Sequence, residues 1–158
     1  MSAQRAEGSV SAPAPKKGRG SRQLSRELVL RALYQWQVGG SDLAALIVSM
    51  EEEEDYAEVN VGFFRELLTG VLANAADLDA ALAPHLDRAV KELSPIEHGC
   101  LLIGAQELAY TLNVPYKVAI NESVNLAKKY GGTDGHKFVN GVLDKLAKVT
   151  RVAELTAR

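Results

Sequence analysis

Cysteine and histidine are scarce in this chain of 158 residues, and each shortage excludes a class of protein. The single cysteine, Cys100, excludes an intramolecular disulfide framework and is typical of a reducing compartment. The three histidines match none of the usual zinc spacings, so we expect no metal site; they are His85, His98 and His136. We also expect no cofactor, because the glycines form neither a Walker motif nor a dinucleotide-binding motif.

Long apolar runs and strand-like alternation are absent as well. No uninterrupted apolar stretch approaches the ~20 residues that a membrane-spanning helix needs. The N-terminus lacks the apolar segment of a secretory signal. We therefore expect a cytoplasmic protein. Because no segment alternates between hairpin turns as a strand would, the sequence predicts an all-α protein.

Charge is present in both signs but is unevenly distributed along the chain. The residues up to Arg31 include seven Lys or Arg against two Glu, and residues 117–151 form a second basic region. Two such regions could converge on one anion-binding face although the net charge is −2. Ordinary solvation of exposed helices would produce the same pattern. The acidic run at residues 51–55 is expected to be a solvated helix end or loop.

The chain divides by composition into a tail, a folded domain and a short end. Residues 1–20 offer few large apolar side chains and predict a disordered basic tail. Apolar residues at helical spacing predict a folded domain over residues 21–151, and residues 152–158 are expected to be a C-terminal tail. In the first helix Trp36 belongs to the core stripe, and Gly39-Gly40 ends it. Further along, Ser94 and Glu97 predict a capping box at a helix start.

Residues 114–144 predict two amphipathic helices joined by a glycine-rich turn. Pro115 suits a first helical turn, Gly131-Gly132 suits a helix end with positive φ, and Thr133 or Asp134 would cap the next helix. The second helix has an apolar stripe that should face the core, formed by Val139, Val142, Leu146 and Val149.

The same turn allows a phosphate-binding interpretation, because glycines let backbone N–H groups approach an anion. Asp134 would repel phosphate, which favours a structural turn. Elsewhere the chain has lysines but no credible catalytic set, so we expect a binding protein rather than an enzyme.

Three aromatic residues flank the two basic regions, namely Tyr34, Tyr130 and Phe138. Each could stack on an unpaired base, and each could instead be buried. Position in the helical pattern favours burial for Phe138 and accessibility for Tyr130.

Three ordered blocks of sequence are more specific than any charge motif: ALYQW at residues 32–36, VPYKVAINE at 114–122 and HKFVNGVLD at 136–144. In these blocks, and over approximately residues 21–151, the chain resembles the NusB family of bacterial transcription antitermination factors. The resemblance implies a compact all-α fold of two small helix bundles packed together. It also implies that ribosomal protein NusE and this chain together bind the boxA segment of single-stranded nascent RNA. That pair would join an antitermination complex with RNA polymerase and support ribosomal RNA transcription.

The resemblance also implies candidate site residues. The family's arginine-rich RNA-contacting region maps here to Arg22 and Arg26, although three other residues interrupt the arginines. The implied RNA-binding set is Lys16, Lys17, Arg19, Arg22, Arg26, Tyr130, Asp134, Lys137 and Phe138. Tyr34 and Glu97 match positions on the side of the protein partner.

Two other classes of protein fit parts of this pattern. A protein-binding or dimeric helical scaffold would have an incidental basic face, and a homodimer could bury the RNA face. The helical domain of an RNA methyltransferase also looks similar. In that case a catalytic Rossmann domain should follow in the chain, and we expect none.

Overall fold

The computed structural model of the chain describes residues 20–156. The predictions for Lys16, Lys17, Arg19 and the rest of the N-terminal tail lie outside these residues. Within them, seven α-helices follow one another: α1 (Ser21–Gly39), α2 (Leu43–Glu51), α3 (Val61–Leu82), α4 (Pro95–Tyr110), α5 (Tyr116–Tyr130), α6 (Gly135–Thr150) and α7 (Val152–Thr156). Short 3-10 helices span Glu54–Glu58, Ala83–His85 and Val90–Glu92.

The helices form two groups that share one core. Helices α1, α2 and α3 pack together, α4, α5 and α6 pack together, and both α1 and α3 lie against α4. No strand occurs between residues 20 and 156, so the predicted all-α fold is confirmed. In the same range, none of the helices is both long and apolar enough to cross a membrane.

Helix α4 lies at the centre of the molecule. Every residue from Gly99 to Leu108 is buried, as expected for a helix enclosed on all sides. The two neighbouring helices approach α4 closely at Gly104, where an added Cβ would lie 2.8 Å from Ser123 Oγ on α5. A side chain at position 104 would clash with the side chains of Leu143 and Ser123, which would have to move within a closely packed core.

The C-terminal end of α4 is held by a buried arginine. Arg151 donates from Nε to Leu108 O (2.7 Å) and from Nη2 to Glu107 O (3.0 Å), two carbonyls of the last turns of α4. It also pairs with Glu154 of α7 at 2.6 Å, and Glu154 accepts from Tyr116 N at 2.9 Å. Residues 152–156, predicted as part of a tail, thus form a short helix attached to α4 and α5.

The turns differ in part from the sequence prediction. Gly40 ends α1 with φ +74°, and it is the only glycine with positive φ among residues 20–156. The predicted positive φ at Gly131-Gly132 is wrong, because Gly131 is extended (φ −93°) and its N–H still bonds to Ala127 O at 2.8 Å. Pro115 lies at the N-cap of α5 rather than inside its first turn. Asp134 is the N-cap residue of α6, but its side chain accepts no capping hydrogen bond.

The predicted core stripe of α6 is correct over three of its four positions. Val139, Val142 and Leu146 are buried, whereas Val149 is 65% exposed. The last turn of α6 is thus exposed at Lys148 and Val149. Trp36 packs, partly buried, against the core as predicted.

Candidate nucleic-acid interface

Arg22 is the accessible arginine at the start of α1. Its side chain is exposed, and its guanidinium carbon lies 4.6 Å from the centre of the Phe63 ring of α3. This cation–π contact orients the charge without neutralising it. Arg22 can therefore still meet a phosphate group.

Arg26, one turn further along α1, lies in a different environment. It is only 4% exposed, and its Nε and Nη2 donate to the two carboxylate oxygens of Glu107 on α4 at 2.7 and 2.8 Å. Glu107 is itself fully buried, and a second carboxylate, that of Glu122, lies 3.8 Å from Arg26 Nη1. The structure thus places Arg26 in a buried ion pair between α1 and α4, where it presents no exposed guanidinium to RNA.

Tyr130 is held beside α1 by polar contacts. Its hydroxyl donates to Glu27 Oε1 at 3.0 Å, and the neighbouring Lys129 Nζ lies 3.1 Å from the same oxygen. These contacts fix the end of α5 against the middle of α1.

Arg31, one turn beyond Glu27 on α1, binds the acidic segment that follows α2. It donates to Glu53 at 2.9 Å and to Asp55 at 3.0 and 3.3 Å. Burial alone would lower the pKa of Arg31, but the hydrogen bond and charge of Asp55, with a smaller contribution from Tyr130, raise it above its usual value. Part of the acidic run expected to be solvated is therefore bound.

An apolar groove of about 340 Å³ brings two predicted site residues together. Tyr34, expected on the side of the protein partner, and Tyr130, expected on the RNA side, both line it. Tyr34 is 46% exposed. We call this feature the tyrosine groove; its lining residues are Leu30, Arg31, Tyr34, Gln35, Met50, Glu53, Ile96 and Tyr130.

Glu97 follows Ile96 of the tyrosine groove and connects the first turns of α4 and α6. Its backbone N–H donates to Ser94 Oγ at 3.1 Å, which confirms one half of the predicted capping box. Its carboxylate points toward α6, because an added Cβ on Gly135 would lie 3.3 Å from Glu97 Oε2. Within residues 20–156, the reciprocal bond from the Ser94 N–H to this carboxylate is not formed.

The first turn of α6 exposes the remaining predicted residues. Asp134 and Lys137 have side chains that are 78% and 73% exposed, and their charged atoms lie 3.6 Å apart. Phe138 is half-buried, and the guanidinium carbon of Arg88 lies 4.3 Å from the centre of its ring. A shallow hollow of about 230 Å³ adjoins them and is also lined by His85 and Lys145. We call the group formed by Arg88, Lys137, Phe138 and Lys145 the α6 surface.

Sequence reasoning missed two cations of the α6 surface. Lys145 follows Lys137 at a spacing of eight residues, which puts both on one helix face, so the spacing could have identified it. Arg88 lies in the connector before α4, and no local pattern links it to Phe138 fifty residues later. Its charge also acts on its neighbour: the hydrogen bond from Arg88 lowers the pKa of the Asp87 carboxyl.

Cys100 lies in the core, and His98 contacts a neighbouring helix. Burial raises the pKa of the Cys100 thiol to about 12, so it is a poor nucleophile at neutral pH. His98 forms a 2.7 Å contact with Asp79 that joins α3 and α4. Among the residues that the structure describes, no group of three or more His, Cys, Asp or Glu could hold a metal ion.

Comparison with known proteins gives consistent matches. The model of the NusB family matches residues 23–148. The transcription antitermination protein NusB of Thiobacillus denitrificans is 52% identical over 136 residues, which covers 86% of this chain and 94% of the relative. The protein of the same name from Methylobacillus flagellatus is 52% identical over 142 residues, covering 90% and 92%.

Solved structures show the same fold. The structure of T. maritima NusB has a TM-score of 0.75 at 26% identity and covers 88% of this chain and 99% of that one. A NusB chain crystallised with NusE and double-stranded RNA has a TM-score of 0.74 at 24% identity, covering 82% and 97%.

Proposed function

The chain belongs to the NusB family, and on this premise we propose that it is a transcription antitermination factor that binds boxA-containing single-stranded RNA together with ribosomal protein NusE. In this role it joins an antitermination complex with RNA polymerase and supports ribosomal RNA transcription in the cytoplasm. It acts by binding and catalyses no reaction.

The observation that carries the RNA-binding part is the arrangement of the α6 surface. Lys137 and the partly exposed Phe138 line one hollow, and the guanidinium carbon of Arg88 lies 4.3 Å from the centre of the Phe138 ring. Cations of this kind neutralise phosphates, and an aromatic ring beside them can stack on an unpaired base. Arg22 and the tail residues Lys16, Lys17 and Arg19 extend the proposed contact with the RNA backbone.

The tyrosine groove is the proposed docking place for NusE. Its lining is mostly apolar and includes the two tyrosines Tyr34 and Tyr130, a composition that suits a protein partner better than a phosphate backbone. Tyr130 belongs to this groove, and Asp134 lies four residues further along the chain. An RNA strand on the α6 surface would therefore run close to the bound partner, and the two could form one joint surface.

Titration of boxA RNA and of a scrambled RNA, each with and without NusE, tests the proposal. We expect NusE to increase affinity for boxA RNA much more than for the scrambled strand. Equal binding of both strands under all conditions would contradict the proposal.

Lysine variants test the α6 surface itself. Lys137→Ala should weaken RNA binding and reduce the slope of log K against log salt by about one, because one phosphate contact is lost. Lys117→Ala is the matched control: Lys117 is also an exposed helix lysine, but it lies at the opposite end of α5 from Tyr130. The assignment fails when both variants weaken binding equally.

The apolar tyrosine groove also fits the competing role of a protein-binding or dimeric scaffold. In that role Arg22→Ala would leave partner binding and oligomeric state unchanged, and RNA would bind without sequence preference. Analytical ultracentrifugation with and without boxA RNA separates the two roles. A homodimer that RNA cannot dissociate would favour the scaffold.

A further inference from the structure

A groove of about 560 Å³ lies between α3 and α4. It shares no lining residue with the tyrosine groove or the α6 surface, and its volume falls in the range typical of small-ligand sites. We call it the amide groove, because two side-chain amides, those of Asn74 and Gln106, line it.

The two amides are joined by a hydrogen bond, and that of Gln106 lies against the backbone of α3. Asn74 Nδ2 donates to Gln106 Oε1 at 3.2 Å. The Gln106 amide rests directly against Gly70, where any Cβ would collide with Gln106 Nε2. The Gln106 amide thus occupies the space that a side chain at position 70 would fill.

Two of the four polar side-chain atoms of this pair, Asn74 Nδ2 and Gln106 Oε1, take part in the hydrogen bond between them. Gln106 is 6% exposed, and its Nε2 donates no hydrogen bond to any group in residues 20–156. Asn74 Oδ1 likewise accepts no bond within that range. One donor and one acceptor thus remain at the groove. Exchanging O and N in both amides reverses which residue supplies which, but leaves one of each.

A free donor and a free acceptor match a base edge that offers one acceptor beside one donor. Unpaired bases offer such a pair on their Watson–Crick edges, but adenine offers a second pair, because its N7 acceptor also lies next to the N6 amino donor. The corresponding edge of guanine presents two acceptors, N7 and O6, so it would leave the acceptor of the groove without a partner.

The rim of the groove supplies the two other parts of a nucleotide site. Tyr110 lines the groove and is 56% exposed, so its ring is available for stacking. Phe63 also lines it, and this is the ring over which Arg22 lies at 4.6 Å. A strand whose phosphate meets Arg22 therefore passes the end of the amide groove.

From these contacts we propose that the amide groove binds one unpaired adenine base, with Tyr110 stacking on it and the Asn74–Gln106 pair reading its edge. The site lies apart from the α6 surface and the tyrosine groove, and it shares only the neighbouring Arg22 with the proposed boxA contact. The base can come from an RNA strand or from a free adenine nucleotide, and the test separates these sources.

The test follows the side-chain amide signals of Asn74 and Gln106 by NMR while oligo(A), oligo(U) or AMP is added to the full chain. We expect both amides to shift more with oligo(A) than with oligo(U), because uracil offers a donor beside an acceptor on one edge only. AMP binding as tightly as oligo(A) would identify the free nucleotide as sufficient, whereas oligo(A) binding alone would identify the strand.

Surface variants separate a built site from general strand binding. Tyr110→Leu should weaken oligo(A) binding by about tenfold, the size of one lost stacking contact. Leu112→Ala is the control, since Leu112 is 66% exposed and does not line the groove. Asn74→Ala should abolish the preference for oligo(A) over oligo(U).

Three results would overturn the adenine site: amide signals that stay in place, equal shifts with oligo(U), or equal losses in Tyr110→Leu and Leu112→Ala. At saturating oligo(A), Lys137→Ala should leave these shifts unchanged. Failure of the amide groove is thereby distinguished from failure of the α6 surface.

Discussion

Arg22 and Arg26 show how far a single residue can be understood from its place in the sequence. Both lie on one side of α1, one turn apart, and nothing local distinguishes them. Their environments differ because the buried Glu107, which is 81 residues away in the chain, accepts hydrogen bonds from Nε and Nη2 of Arg26. The helical periodicity of α1 was predictable from sequence, but this long-range ion pair was not.

Arg26→Ala should therefore act on stability before it acts on RNA. Removing one partner of a buried ion pair leaves Glu107 charged and unpaired, which costs about 3–5 kcal/mol. Urea denaturation followed by circular dichroism measures this loss.

Arg22→Ala is the control for Arg26→Ala, because it removes only an exposed cation–π contact worth about 0.5–1 kcal/mol. Similar losses of stability in both variants would contradict the placement of Arg26.

Ser123 carries an unusual polar group in the core. It is fully buried on α5, and its hydroxyl is the only buried side-chain N or O atom without a hydrogen-bond partner in residues 20–156. Ser123→Ala should raise the free energy of unfolding by about 1 kcal/mol, because it removes an unsatisfied polar group. Thermal or chemical unfolding measures the change.

Ser25→Ala provides the opposite case on the same scale. Ser25 is equally buried, but its hydroxyl donates to Ser21 O at 2.7 Å and accepts from Asn60 N at 3.0 Å. Its replacement should lower the free energy of unfolding by about 1–3 kcal/mol. A loss of stability in both serine variants would show that Ser123 has a partner.

At the scale of elements, helix existence was predictable and helix ends were less so. The Ser94 cap could be read from sequence because its partner, the Glu97 N–H, is three residues away. The glycine pairs could not be told apart, because Gly39-Gly40 and Gly131-Gly132 are chemically alike. Packing decides between them: only Gly40 adopts positive φ, while the chain leaves α5 extended at Gly131.

Alanine substitutions at the two turns test this difference. Gly40→Ala should cost about 1–2 kcal/mol of stability, because an L side chain is strained at φ +74°. Gly132→Ala should change stability little, since an added Cβ would meet no atom within 4 Å and the φ of Gly132 is not positive. Differential scanning calorimetry of both variants checks the order, and a larger loss at Gly132 would refute it.

At the scale of the whole molecule, the class of fold was available from periodicity and the family from three short blocks of sequence. The surfaces were not available, because they form between segments distant in the chain. Tyr34 and Tyr130 meet in one groove, and Arg88 meets Phe138 across fifty residues. Charge counting along the chain finds basic regions, but only the packing of α1, α5 and α6 shows which cations remain exposed.

We propose that the α6 surface holds boxA RNA while NusE occupies the neighbouring tyrosine groove. Crosslinking of the complete protein–NusE–boxA RNA complex, read out by mass spectrometry, tests it most directly. We expect RNA crosslinks at Lys137 and Phe138 and protein crosslinks near Tyr34. RNA crosslinks confined to Lys117 and the far end of α5, with none on the first turn of α6, would contradict it.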